Sequence, residues 1–494
     1  MEQERERTFP PGAAAGAPRQ RGPGEQLGSL PRAFWMVNVM EMFERLAYYG
    51  VRVVIPIYIA QADEIHGLHF NQVQKGTIFM LWALVQSGVP VISGGFADRY
   101  GYKRTIAASV AIKATGYLLM ATQRAFWPFT AGCLTLALGT AVFKPGVQGT
   151  LVRTLSDETS SVGWGTFYML VNIGGFLGPP LAHFLYGFSW PAVFFGCAVI
   201  VSVNFFMLFT YPEIPAGGEQ RGGPLDIAIV TLRNLARPRL LIFILLMSGF
   251  WLMFMQLFDM LPNFIVDWVD SADIVRSLHL PALFTTHTTR GIMVAQEWMI
   301  NANAGLIVLC VVWVSWLGAH LHRVQSIFLG IVIASIGLVA AGSTMSGWLC
   351  VLGILMFSIG EMLASPKMNE YLGVIAPEGE KALYMGYANM PLAIGWAYGS
   401  LMGGRVYDQM GDKANLAMRY LGEHHGVTAG VARTNAVGAL QRTLGASPEH
   451  VTRLLWETYH PDRLWYPFAA VGFASAVGIF FYARWVREKI PRNA

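Results

Sequence analysis

Apolar stretches of about 18 to 25 residues recur along the chain, each long enough for a helix to cross roughly 30 Å of hydrocarbon. They fall near 33–59, 75–96, 105–121, 127–149, 164–186, 189–211, 240–266, 296–318, 325–343, 347–366, 382–403 and 464–483. The pattern predicts an all-α membrane protein with twelve transmembrane helices. A polar loop at 212–239 divides them six and six, giving an N-terminal bundle over 33–211, a cytoplasmic linker, and a C-terminal bundle over 240–483. Residues 1–32 mix Pro, Gly, Ala, Arg and Glu without periodicity and read as a disordered tail. Residues 484–494 form a short basic tail. No short apolar core followed by a cleavage site marks a secretory signal.

Two connections on the side away from the termini are long, 268–295 and 404–463. The second contains Ser447-Pro448-Glu449, an N-cap, a first-turn proline and an acidic residue suited to a helix start. Val451, Leu454, Leu455 and Tyr459 follow at helical spacing, so a small helical cap is expected there. Two readings of that cap stay open: a packing insert, or a gate over a pore.

Composition explains the pattern. Of 494 residues, 54% are hydrophobic and 13% charged, with a mean hydropathy of +0.43. A soluble protein carries roughly a quarter charged residues. The shortfall excludes a soluble enzyme, a nucleic-acid binder and a disordered protein, and leaves lipid as the solvent for much of the surface. The net charge of +5 is modest, but its placement is informative. Twenty Lys and Arg fall on the side of the termini, against Lys75, Arg124, Arg276 and Arg290 in the opposite loops outside the 404–463 insert. By the positive-inside rule both termini are cytoplasmic. Cys133, Cys197, Cys310 and Cys350 lie in apolar runs without paired spacing and suit core packing rather than disulfides or zinc. No metal spacing, nucleophile–base set or phosphate-cradling loop implies catalysis, a metal or a cofactor.

Ionisable residues inside a span cost roughly 2.5 to 3.5 kcal/mol each on insertion scales, so those present need a polar interior. In the first span Glu41, Glu44, Arg45, Tyr48 and Arg52 lie at i, i+3, i+4, i+7 and i+11, along one helical face. Such a stripe lines a cavity or ties helices together through ion pairs. Further polar groups at membrane depth are Lys113, Lys144, Asp259, Glu361, Asn172, Gln256, Asn301 and Asn303. Lys113 is expected to pair with a buried carboxylate, the alternative being a lysine that snorkels to the interface. A carboxylate that exchanges cation partners can take up and release a proton.

Between the second and third spans runs Gly94-Gly95-Phe96-Ala97-Asp98-Arg99-Tyr100-Gly101-Tyr102-Lys103-Arg104. It resembles the Gly-x-x-x-Asp-Arg-x-Gly loop of the major facilitator superfamily, which implies that fold: two six-helix bundles rocking about a central site. The first-span stripe is similar to the Glu-x-x-Glu-Arg-Phe-x-Tyr-Tyr-Gly motif of the proton-dependent oligopeptide transporters, with Leu46 for the Phe. Phe167-Tyr168 through Asn172 and Gly174, Phe143-Lys144-Pro145, Gly360-Glu361 with Ser365-Pro366, Ala376-Pro377 and Met385-Gly386 resemble further signatures of that family.

The resemblance implies roles. Glu41 and Glu44 would handle protons and exchange salt bridges with Arg45 and Lys144, which would also attract a substrate carboxylate. Tyr48, Asn172 and Asn301 would hydrogen-bond a peptide backbone and Glu361 would meet its amino group, with Arg52 and Gln256 in the same substrate-binding set. Gly94, Asp98, Arg99, Gly101 and Lys113 would serve gating or structure. The departures are Met255 where an acidic residue precedes the span-seven Gln, with Asp259 one turn on as its replacement in coupling, and Ala388 where a Trp is expected. Lys113 and the 404–463 insert have no family counterpart. The expectation is a monomeric, proton-gradient-driven symporter of di- or tripeptides or peptide-like solutes in a bacterial inner membrane. The rivals are a facilitator for an organic anion or drug, and a non-transporting receptor or scaffold.

Overall fold

The computed structural model describes residues 23–90, 97, 100–156, 158–215, 233–234, 237–319, 321–377, 384, 386–427 and 430–489. Helices stand at every predicted span. The first six are Arg32–Arg52 (continued by Ile55–Ala60), Gln72–Ala83 (continued by a π-helical turn, Leu84–Gly88), Tyr102–Thr122, Phe126–Thr154, Ser160–Tyr186 and Trp190–Leu208. The second six are Pro238–Phe254 (continued by Gln256–Asp259 and Leu261–Trp268), Gln296–Ala319, Arg323–Gly342, Gly347–Ile375, Asn389–Met410 and Tyr466–Lys489. Among the described residues, seven helices are long and apolar enough to cross a membrane. Span 1 falls outside those seven because of the charges that mark it.

Each half is a bundle. In the first, span 1 packs on spans 5 and 6, and span 3 on spans 4 and 6. In the second, span 9 packs on spans 10 and 12, and span 7 on spans 11 and 12. Local chemistry sets several ends. Span 2 opens on a capping box, in which Asn71 Oδ1 accepts from Gln74 N and Asn71 N donates to Gln74 Oε1. Span 3 opens at Gly101, whose φ of 91° favours glycine. Of the other loop residues to which a gating role was assigned, Gly94, Asp98 and Arg99 lie outside the described residues, as do Met385, residues 1–22 and most of the linker.

With twelve spans the chain enters the first and leaves the last at one end of the molecule, the termini end. The opposite, cap end carries both long connections. Residues 268–295 form a short helix, Ala272–Leu278, and an antiparallel hairpin of β1 (Thr285–Thr288) and β2 (Gly291–Val294), with Thr285 opposite Val294. Hydropathy did not announce the hairpin; the β-branched Thr run is the signal for it. Span 11 continues to Met410, so the insert proper begins at 411 rather than 404. Its helices are Lys413–His425, Ala436–Leu444 and Pro448–Tyr459, the last capped by Ser447 as the sequence indicates. Trp268 Nε1 donates to Gly411 O at 2.8 Å, and Trp456 packs on Phe264 and Trp268, which fixes the cap to the C-terminal half.

The halves meet at the cap end. Span 2 lies on span 11 so closely that a Cβ on Gly76 would stand 2.5 Å from Ser400 O, and only glycine fits. Lys75 Nζ donates to Asn263 Oδ1 at 2.7 Å, and Asn263 donates to Gln61 Oε1 and Pro56 O. Gln61 donates to Asp267 Oδ1 at 2.8 Å, and Gln296 to Val53 O. His183 pairs with Glu297 between spans 5 and 8. The deepest of these bonds is Asn301 Nδ2 to Phe176 O at 2.9 Å. The cap end is closed.

Candidate functional site

Midway along span 1, the predicted stripe forms an ion cluster. Arg45 Nε donates to Glu41 Oε1 at 2.9 Å, one helical turn apart, and lies 2.8 Å from Glu44 Oε2. Glu44 Oε1 accepts from Lys113 Nζ of span 3 at 3.0 Å. All four side chains are buried, Lys113 at 0% exposure. The lysine ammonium also stands 3.5 Å from the centroid of the Phe143 ring, a cation–π contact that helps hold it in place. Lys113 therefore pairs rather than snorkels.

The expected bridge to Lys144 is not there. Lys144, one residue beyond Phe143 on span 4, is half-buried and makes no ion pair with a described residue. Lys113 has taken the carboxylate that Lys144 was expected to hold, which leaves the span-4 ammonium for another anion.

Arg52, two turns further along the stripe, belongs to a different assembly. It pairs with Asp259 of span 7, donates to Phe258 O, and lies over the Phe79 and Trp396 rings. Asp259 Oδ2 in turn accepts from Trp396 Nε1 at 3.1 Å and Ser400 Oγ at 2.6 Å. The pair ties one half to the other at the cap end, above the cluster. Arg52, expected in the solute-binding set, and Asp259, expected among the coupling residues, are thus each other's partners across the halves.

Gln256 is fully buried, donating to Leu252 O within its own helix, and its amide fills the space beside Gly399 and Gly403 of span 11. It is a helix-packing residue. Asn172 is half-buried and donates to Tyr168 O. Tyr48 accepts from Gln86 Nε2 at 3.1 Å, and Gln86 Oε1 accepts from Trp82 Nε1. Gln86 sits in the π-helical turn, which re-aims it toward span 1, a displacement that sequence spacing does not reveal. Glu361 is half-buried and accepts from Asn303 Nδ2 at 2.9 Å. Asn303 was noted as a membrane-depth amide but given no role, and it is the partner of the span-10 carboxylate. The His183–Glu297 pair was missed too, though both are ionisable residues at span ends.

Buried polar atoms without a hydrogen-bond partner among the described residues include Arg45 Nη2 on span 1, Gln256 Oε1 on span 7, Asn301 Oδ1 on span 8 and Ser365 Oγ on span 10. A guanidinium N–H on one half and an amide oxygen on the other can hold an anionic and a cationic group of one solute.

A model of the Major Facilitator Superfamily matches residues 39–400. The chain belongs to that superfamily. Curated relatives of this facilitator include the multidrug resistance protein MdtH of Yersinia enterocolitica and of Escherichia coli, each 23% identical over 389 residues, 78% of this chain and 88% of the relative. Among solved structures it resembles a chain reported for substrate recognition in proton dependent oligopeptide transporters (TM-score 0.66, 17% identity, 92% of this chain and 99% of that one). It also resembles a bacterial homologue of the human drug peptide transporters (TM-score 0.64, 18% identity, 93% and 99%). A third is a POT family transporter in complex with 5-aminolevulinic acid (TM-score 0.61, 14% identity, 87% and 97%). At these identities the likeness is one of fold; it is membership of the Major Facilitator Superfamily that places the chain among transporters.

Proposed function

We propose that this facilitator is a proton-coupled symporter of small dipolar solutes, di- or tripeptides or peptide-like molecules, with its cap end outside the cell and both termini in the cytoplasm. The observation that carries this reading is the Glu41–Arg45–Glu44–Lys113 cluster. Two carboxylates share one guanidinium at membrane depth, so a proton on one of them releases Arg45 toward the other or toward a solute anion. Arg45, Lys144, Asn301 and Glu361 are then the groups for the two ends of a zwitterion. The charge asymmetry of the loops supports the orientation, and the compact connections and the bacterial MdtH relatives suit a bacterial inner membrane.

A second reading, an exporter of drug-like solutes, is favoured by the likeness to MdtH. Uptake into proteoliposomes under an imposed inward proton gradient separates the two. Uphill accumulation of a labelled dipeptide by the native chain, abolished in Glu44→Gln and Glu41→Gln, supports the symporter. Proton-driven expulsion of a dye with no dipeptide uptake overturns it.

A further inference from the structure

The cap contributes more than packing. Arg433 sits in a single 3-10 turn, Arg433–Asn435, between the first two cap helices. Its guanidinium reaches across to the N-terminal half, donating to Ala60 O at 2.8 Å and Phe70 O at 3.3 Å. These carbonyls flank the 61–69 loop, and Ala60 ends the helical segment Ile55–Ala60, where carbonyls lack partners in the chain's own helix. On its own half Arg433 pairs with Asp412. Asp412 caps the first cap helix through Asn415 N and takes a further bond, 2.9 Å, from Gln72 Nε2 of span 2.

The platform beneath is anchored elsewhere. Lys413 Nζ donates to Asp267 O and Thr452 Oγ1, and Leu416, Leu421, Leu440, Val451 and Leu455 are buried in the core. Arg433 is therefore held by one half while grasping the other. If the halves part at this end, the bonds to Ala60 and Phe70 break while those that seat the cap stay whole. Around the latch the two halves, the hairpin and the cap enclose a cavity of about 400 Å³, lined among others by Ile65, Trp190, Gln296 and Gln441.

We infer that the 411–463 insert is an outer latch of the transport cycle, with Arg433 its gating residue and Asp412 the residue that positions it. A charged donor to two carbonyls favours the closed state enough that its removal raises the open population about tenfold. The inference rests on the transport reading only in that a transporter must open here; the latch is tested by distance, without a solute.

Spin labels are placed on the full chain, in a Cys310→Ala background, at Ile65→Cys and Gln441→Cys across the cavity. A second pair, Leu278→Cys and Glu457→Cys, lies wholly within the C-terminal half at exposed positions. Arg433→Ala is expected to raise the long-distance fraction of the 65–441 pair about tenfold and leave the 278–457 distance unchanged, with Arg433→Lys in between. An unchanged 65–441 distribution overturns the latch. A shift of both pairs also overturns it, because Arg433 would then only hold the cap together. If Arg433→Ala opens the 65–441 pair while the native chain transports neither dipeptide nor dye in proteoliposomes, the transport reading fails and the latch stands.

Discussion

Replacing Lys113 by Met removes one charge from a buried cluster. The substitution nearly preserves length and volume, so cavity formation contributes little. What is lost is the 3.0 Å contact to Glu44 and the cation–π contact to Phe143. Removing one partner of a buried pair costs about 3–5 kcal/mol, but Arg45 Nε remains 2.8 Å from Glu44 Oε2. The expected loss is therefore about 2–3 kcal/mol. Glu44→Gln in the Lys113→Met background removes the stranded charge and should recover most of that loss, a coupling of about 2 kcal/mol in a double-mutant cycle. Reversible unfolding in mixed micelles measures all four proteins. Lys144→Met, which breaks no ion pair among the described residues, should change stability by less than about 0.5 kcal/mol. Additive effects of Lys113→Met and Glu44→Gln, or equal losses at Lys113 and Lys144, would refute the assignment of Lys113 as the partner of Glu44.

Two further outcomes follow from the cap end. Asp259→Asn should expose the central site from the cap side, so that Val53→Cys, at 2% exposure in the closed state, reacts about tenfold faster with an impermeant maleimide. Charge reversal of both partners, Arg52→Asp with Asp259→Arg, should bring the rate part of the way back, and an unchanged rate in Asp259→Asn would show that the pair is no gate. The cap itself should be sensitive to pH through Lys413. Burial, with Arg290 beside it, pulls the Lys413 ammonium down to about 7, below its unfolded value near 10.4. Between those values the unfolded chain binds the extra proton, so the contribution of Lys413 makes the protein more stable as pH rises, by up to ~1.4 kcal/mol per pH unit, and flat below pH 7. The native protein should gain stability relative to Lys413→Met from pH 7 to 9, read as a rise in native Tm minus variant Tm; a constant difference would refute this.

Much of this arrangement was legible in the sequence. Span positions followed from run length, and the clustering of Glu41, Glu44 and Arg45 from helical spacing, because both depend on one helix at a time. Assignments that needed a second helix were less secure. Arg52 shares the stripe of Arg45 but stands seven residues on, about 10 Å along the axis, and so meets a different neighbour. Gln256 has the type and depth of a substrate ligand; only Gly399 and Gly403, one turn apart on span 11, signal that a helix packs against it. Lys144 and Lys113 are alike in hydropathy. Which one reaches Glu44 depends on how span 3 lies against span 1, and no local pattern records that.

The closed cap end also limits what a solute must do. Each bond across it contributes about 0.5–1.5 kcal/mol net, since water satisfies the same groups once the halves part. Several together hold this state by enough that opening needs a compensating difference elsewhere, and a ligand supplies one only through unequal affinity for the two states. A solute that touched Arg45 and Lys144 alone would bind one half equally well in both states and shift nothing, however tight its contacts. A solute that also engages Asn301 or Glu361 spans both halves, and its affinity then depends on their separation. On the proposed reading, groups with spare bonding capacity such as Arg45 Nη2 on the first half and Asn301 Oδ1 on the second are where binding would become movement. A two-headed solute therefore suits this protein better than a simple anion.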